Sequence, residues 1–189
     1  CFGTNSTLLT LTGYDGTVVK WQSTEDNWVN AVDISVTTST YTATNLTSAT
    51  KFRAVVSGIC FPVNSGEATI DIDPVSVGGT IDGTATITYG SSTGALSLTG
   101  YTGLIQKWQK KLNTGSWADI SNTTSTYSET PSASGTWYYR AVVISGVCSE
   151  ANSSEAIVTV DKKELIVTGA LVTSKIYDGD NTATITNAI

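Results

Sequence analysis

LTGYDGTVVKWQ at residues 11–22 returns as LTGYTGLIQKWQ at residues 98–109. The rest of the unit returns with it. A Trp, then DIS, TSTY and FRAVVSGIC run on to Cys60; a Trp, then DIS, TSTY and YRAVVISGVC run on to Cys148. Gly13, Trp21 and Arg53 reappear 87 positions later as Gly100, Trp108 and Arg140. Asp33 and Tyr41 reappear 86 later as Asp119 and Tyr127, and Cys60 reappears 88 later as Cys148. The offsets drift by one residue each way, so the insertions and deletions belong in loops. A unit of this length exceeds the 20–50 residues or so of a solenoid rung and suffices for a small domain.

Inside the unit the hydrophobic period is two. In Lys51–Val56, Phe52, Ala54 and Val56 take one face of a strand and Arg53 and Val55 the other. Short runs of this kind recur at Leu8–Leu11, Val18–Gln22, Val32–Ser35, Thr40–Thr44, Lys51–Ser57 and Ala68–Asp73. The second copy repeats them and adds Gly78–Ile81 and Thr84–Tyr89 at its start. Turn signals such as Gly13–Gly16 separate the runs, and no helical period intervenes. The fold class is therefore all-β: tandem Ig-like antiparallel β-sandwiches, with a partial third β module at the C-terminus. The expected units are residues 1–74 (without the first strand of the second copy), 75–161 and 162–189. Pro74 marks the first boundary, because proline cannot donate to a ladder. In the last unit Glu164–Thr168 and Asn181–Asn187 are expected to form a hairpin.

Composition narrows the function. The 189 residues carry a net charge of −6 and only 14% charged side chains, and Thr and Ser exceed a quarter of the chain. An acidic pI of about 4.4 argues against nucleic acid or anionic membrane as a partner, since both need a basic footprint. No apolar run approaches the 18 or so residues of a membrane helix. There is no His, which removes the commonest general base and zinc ligand. No catalytic constellation is legible, and the expectation is a non-enzyme.

Trp21 and Trp108 read as core residues of central strands. Four loop or turn aromatics are the candidate ligand contacts: Tyr14 and Tyr101 at turn tips, and Trp28 and Trp117 in polar loops. Against this stands the plainer reading of both Trp as lids over one end of the core. Asp71 and Asp73, at the boundary, are the weak candidates for Ca²⁺, which favours clustered oxygens. No EF-hand or RTX spacing supports them, and no other cofactor is expected. Sequons at Asn5, Asn45, Asn122 and Asn152 and the period-two threonines read as consequences of a Thr- and Ser-rich, half-exposed sheet.

The motifs in order resemble the Ig-like tandem repeats of giant Bacteroidota cell-surface adhesins of the SprB gliding type. Gly78–Thr86 matches the opening of such a repeat, Leu98–Gly103 with Lys107-Trp108-Gln109 its centre, and Tyr139–Val143 with Ser145–Cys148 its end. Val167-Thr168-Gly169 with Lys175–Gly179 looks like the start of a YDG-type module. The resemblance implies a secreted, cell-surface protein exported by the type IX system. This segment would serve as a stalk or spacer in adhesion or gliding, with a glycan or protein ligand engaged through the parent protein and no membrane insertion here. It also implies a disulfide from a Cys near the end of the first strand to the late Cys. That pairs Cys1 with Cys60 and leaves Cys148 a free thiol, because Thr88 stands where its partner would be. The alternatives are a lectin-like or protein-binding module using the loop aromatics, and an accessory region of a secreted hydrolase.

Overall fold

The computed structural model describes residues 1–58, 61–166, 171–172, 179 and 185–186. The first module contains β1 (Ser6–Thr10), β2 (Thr17–Thr24), β3 (Val32–Ile34), β4 (Thr40–Thr44), β5 (Thr50–Ser57), β6 (Pro62–Asn64) and β7 (Ala68–Ile70). The second contains β8 (Thr80–Asp82), β9 (Ala85–Thr88), β10 (Leu96–Thr99), β11 (Leu104–Leu112), β12 (Ala118–Ile120), β13 (Thr126–Tyr127), β14 (Gly135–Ile144), β15 (Ala151–Asn152) and β16 (Ala156–Asp161). Module two builds one sheet in the order β13-β10-β8 and a facing one in the order β12-β11-β14-β16-β9. All pairings there are antiparallel except β9 with β16. That exchange of the first strand between the two sheets, with a parallel pair at the seam, is an Ig-like sandwich. Module one has β1-β4 on one side and β3-β2-β5 with β6 and β7 on the other. β6 and β15, which pair with the ends of β5 and β14, were not foreseen; each is two or three residues on a strand edge.

Each core forms around a tryptophan. The central strand carries one extra residue, between Val18 and Lys20 in β2 and between Ile105 and Lys107 in β11. The bulge lets Val18 and Trp21, or Ile105 and Trp108, both face inward although three apart. Trp21 is 4% exposed and Trp108 0%. Their indole N–H groups donate to the carbonyls of Thr38 (3.0 Å) and Thr124 (2.9 Å), so burial leaves no orphan donor. Tyr41 bridges Trp21 and Phe52, and Tyr127 bridges Trp108 and Tyr139, with ring centroids 5.8–6.1 Å apart. The two clusters are separate: one draws on residues 9–54, the other on 81–160. Phe52, Ala54 and Val56 are buried as their alternation requires, and Val55 on the other face is buried too.

Beyond Asp161 the chain departs from expectation. Glu164–Ile166 is not in a strand; Leu171–Val172 (β17) pairs antiparallel with Ile185–Thr186 (β18) instead. The rest of the expected hairpin, and the Val167–Gly169 and Lys175–Asp178 motifs, lie outside the described residues.

One core position is filled differently in the two copies. In module two the half-buried Glu129 accepts Lys110 Nζ and Tyr127 Oη on one oxygen and Tyr139 Oη on the other (2.8 Å for each tyrosine). In module one the same places hold Ala43, Ser23 and Phe52. Burial pushes the Glu129 carboxyl up, but donation from Lys110, Tyr127 and Tyr139 outweighs it, and its pKa sits below the ordinary 4.5. Burial, then Glu129, push both tyrosine hydroxyls well up. A depressed carboxylate adds stability above its unfolded pKa and loses it as pH falls through the folded value. The melting temperature of module two should therefore fall further between pH 7 and pH 3 in the wild type than in Glu129→Ala. Glu129→Ala alone leaves a lysine and two hydroxyls without their acceptor and costs about 3 kcal/mol. Adding Lys110→Ser and Tyr139→Phe, which copies module one, recovers at least half of that loss and removes the part of the acid sensitivity that Glu129 contributes.

Candidate functional site

Two features recur or join the modules: a polar ladder on the outer face of the larger sheet, and the contact between the copies. In the ladder, Asp33 on the edge strand β3 accepts Lys20 Nζ (2.6 Å) and Gln22 Nε2 (2.7 Å). Gln22 Oε1 accepts Arg53 Nε (2.9 Å), and the Arg53 guanidinium lies 3.9 Å from the Trp28 ring centroid. Trp28 Nε1 donates to Glu67 (2.6 Å), which Lys51 also approaches. Module two repeats the series. Asp119 accepts Lys107 and Gln109, Gln109 accepts Arg140 Nε (2.8 Å), and Arg140 stands 4.2 Å from the Trp117 ring. Lys111 also faces Trp117 (4.3 Å) and reaches Glu155. Hydrogen bonds from Gln22 and Lys20 lower the Asp33 pKa, and Gln109 and Lys107 do the same for Asp119. These pairs are exposed, so each adds little stability.

Of the four expected contact aromatics, then, Trp28 and Trp117 are half-buried and each is covered by an arginine. Trp28 reaches its place through a left-handed backbone (φ 72°), which Thr24 Oγ1 stabilises by accepting its N–H. The neighbouring Asp26 takes the Asn30 amide and side chain and is held at about 2. Tyr14 and Tyr101 stand at turn tips, 38% and 37% exposed, one on each module. The structure does not gather the four into one patch. Sequence reading missed the Gln–Arg–Trp ladder, although Gln22/Gln109, Arg53/Arg140 and Asp33/Asp119 all repeat in register.

The contact between modules is assembled from Asp73 and Pro74 and the turn Ser145–Cys148. Asp73 Oδ2 accepts the Val147 amide (3.2 Å), and its carbonyl accepts the Phe2 amide (2.8 Å). Within module two, the segment that follows is held in turn: Ser76 Oγ accepts the Ser145 amide (2.9 Å), and Val77 exchanges both backbone bonds with Thr102 (2.9 and 3.2 Å). Gly78 and Gly79 pass so close to the Asn152 and Thr99 carbonyls that a Cβ would overlap them. Asp73 is thus committed to holding the turn, and Asp71 is exposed. Neither joins a metal-ligand set, and no group of three or more His, Cys, Asp or Glu side chains that could hold an ion occurs among the described residues.

The cysteines correct the expected pairing. Cys1 is bonded to Cys148, with Cα atoms 5.0 Å apart, inside the usual range. Cys1 therefore does not bridge to Cys60, and Cys148 is not a free thiol; Cys60 lies outside the described residues. The cause is placement. The Phe2–Asp73 bond sets Cys1 beside the linker, and the turn of module two brings Cys148 onto the same spot, its sulfur 3.2 Å from the Pro74 carbonyl. The bond ties one module to the next.

These features define a pair of Ig-like β-sandwiches in series, joined by a built contact and a covalent bridge. The chain belongs to the family described as a domain of unknown function, DUF8696, whose model matches it twice, over residues 1–74 and 77–162. No curated protein matches the chain. Among solved structures it is similar to the FN1–FN3 domains of chicken CNTN1, at 12% identity and TM-score 0.42, covering 91% of this chain and 68% of that one. It is also similar to the N-terminal four Ig domains of Dscam1 isoform 6.9, at 11% identity and TM-score 0.40, covering 84% of this chain and 42% of that one. Among the described residues no helix is long and apolar enough to cross a membrane.

Gly146 is the sensitive point of the contact. It has φ +50°, and a Cβ there would overlap the Asp73 carboxyl. Gly146→Val is expected to cost about 2–4 kcal/mol from backbone conformation and overlap together. That cost falls on the contact, leaving the two cores folded. Residual dipolar couplings should then show the modules reorienting independently once the disulfide is also reduced, while the wild type stays coupled. Peptide mapping without reduction should recover a Cys1–Cys148 cross-linked pair, and alkylation of the denatured, unreduced chain should label one thiol.

Proposed function

We propose that this segment is a stalk or spacer of a large bacterial cell-surface protein serving adhesion or gliding. The observation that carries the reading is the Cys1–Cys148 bond, set in a junction that also uses Asp73, Gly146 and Val147. A contact of that kind fixes the angle between modules, which a spacer needs. The disulfide fits an oxidising, extracellular compartment. The resemblance of the repeat openings and endings to Bacteroidota adhesin repeats supports export by the type IX route and a YDG-type module after Asp161. In this reading the segment catalyses nothing, holds no cofactor, and leaves any glycan or protein ligand to other parts of the parent protein.

Load entering at Cys1 crosses the bond to Cys148 and bypasses the 146 residues between them. At about 3.4 Å per extended residue, that is about 50 nm of hidden length. Single-molecule pulling between the chain ends should therefore release about 50 nm more contour in reductant than in oxidant, with a distinct force peak for each module after reduction. Modules that yield without a force peak would sink the spacer reading. Glycan-array binding by the intact segment, abolished by Tyr14→Ala or Tyr101→Ala, would replace it with the ligand-binding alternative.

A further inference from the structure

The two copies fill one part of the sandwich differently. In module two the space beside the end of β11 and the start of β14 is taken by Leu112, Trp137 and the stem of Lys110, whose ammonium stands 5.4 Å from the Trp137 ring centroid. Module one has Glu25, Thr50 and Ser23 at those positions. A cavity of about 340 Å³ remains there, inside the range of small-ligand pockets, and all three residues line it. It opens beside β3, across β2 and β5 from β7, and its walls lie wholly within residues 23–52.

The walls sort by chemistry. Phe52 and Thr50, both buried, form the floor. The Tyr41 ring stands 5.8 Å from that of Phe52, and Leu46 and Val32 complete an apolar wall. The mouth is acidic. Glu25 and Asp26 are both exposed, and among the described residues no lysine or arginine lines the cavity or pairs with either. The Asn30 amide and the Thr24 hydroxyl hold Asp26 as a carboxylate, with a pKa of about 2. Among the described residues its Oδ2 accepts only Asn30 Nδ2 (2.6 Å), which leaves room for a further donor. Tyr41 Oη, whose counterpart on Tyr127 donates to Glu129, bonds no described residue. An apolar hollow with two uncompensated negative charges at its opening selects for a cation that carries apolar surface. What fills the same place in module two is an indole with an ammonium beside it, so the chain itself shows the chemistry this shape accepts.

We propose that this cavity of module one is a binding site for a small organic cation, an ammonium carried on an apolar ring. The ring lies against Phe52, Tyr41 and Leu46, in the volume that Trp137 takes in module two. The ammonium stays at the mouth and donates to Asp26 and Glu25. Burial of the ring supplies affinity, and the carboxylates select the charge. Module two has no such site, because its own side chains occupy the space. The site is independent of whether the chain serves as a spacer.

The test uses the full chain and three ligands that share one ring: tryptamine, tryptophol and indole-3-acetate, whose arms are positive, neutral and negative. Tryptamine should bind one to one at about millimolar concentration or below, with amide shift changes at residues 23–32, 41–46 and 50–52 and none in module two. Tryptophol should bind at least about tenfold more weakly, and indole-3-acetate should not bind. Glu25→Gln alters one exposed side chain; it should weaken tryptamine about threefold and leave tryptophol unchanged. The triple variant Ser23→Lys, Glu25→Leu and Thr50→Trp, which copies module two, should raise the melting temperature of module one and bind none of the three. No shift with millimolar tryptamine, equal affinity for tryptophol, shifts confined to other residues, or binding retained by the folded triple variant would each overturn the proposal. Saturation of the same residues by a neutral hexose, with tryptamine silent, would overturn it too and make the cavity a sugar site.

Discussion

The fold depends on burying one indole per module without stranding its N–H. Trp21 and Trp108 are the largest side chains in their central strands, and each sits between two sheets where water cannot serve its donor. A neighbouring loop must therefore bring a carbonyl within reach, and Thr38 and Thr124 do so. That requirement fixes the path from β3 to β4 and from β12 to β13. It also fixes the bulge, because an unbroken alternation would send either the Trp or the preceding Val18 or Ile105 outward. The tyrosine that follows then has one place left, stacked between the indole and the ring or hydroxyl of the next strand.

The second constraint operates between the modules and is of another kind. Hydrophobic burial is non-directional and would tolerate many angles between two sandwiches. The junction instead uses directional groups: the Asp73 carboxylate on the Val147 amide, and Gly146, where the turn of module two comes against that carboxylate too closely for a side chain. The disulfide is laid over a contact that already positions both sulfurs. Its loop encloses 146 residues spanning two folded units, so the loop-entropy argument for a single domain does not describe what it does. It preserves the angle that the Asp73 contact sets.

The sandwich was legible because period two and the repeat are local signals, and the inward set Phe52, Ala54 and Trp21 follows from them directly. The two-residue edges β15 and β17 are too short to carry a pattern. The bridge was illegible for a physical reason. Which two of three cysteines meet depends on the angle between modules, and nothing in the alternation of either copy encodes it. An inference from one module's interior placed Cys1 against Cys60, whereas Cys1 lies at the end of its module that faces Cys148. Asp73 looked like a metal candidate because its acidity is visible in sequence, while the amide it accepts lies 74 residues away. Trp28 and Trp117 were legible as loop residues, but not the arginines that cover them, since Arg53 and Arg140 looked like ordinary outward positions of a strand.

Two copies in one chain also separate what the sandwich requires from what it tolerates. The bulge, the Trp–carbonyl bond and the Arg–Trp contact occur in both. The Glu129 network occurs in one, and Ala43, Ser23 and Phe52 take the same places in the other, where a cavity of about 340 Å³ lies against Ser23, Tyr41 and Phe52. The exposed ladder occurs in both although its ion pairs add little stability, so its effect must be sought elsewhere. Asp33 and Asp119 lie on β3 and β12, each at the free margin of its larger sheet. A carboxylate fixed there by Lys and Gln opposes pairing with a foreign strand, as charge on an edge generally does. The sheets are thus guarded at that margin in both modules.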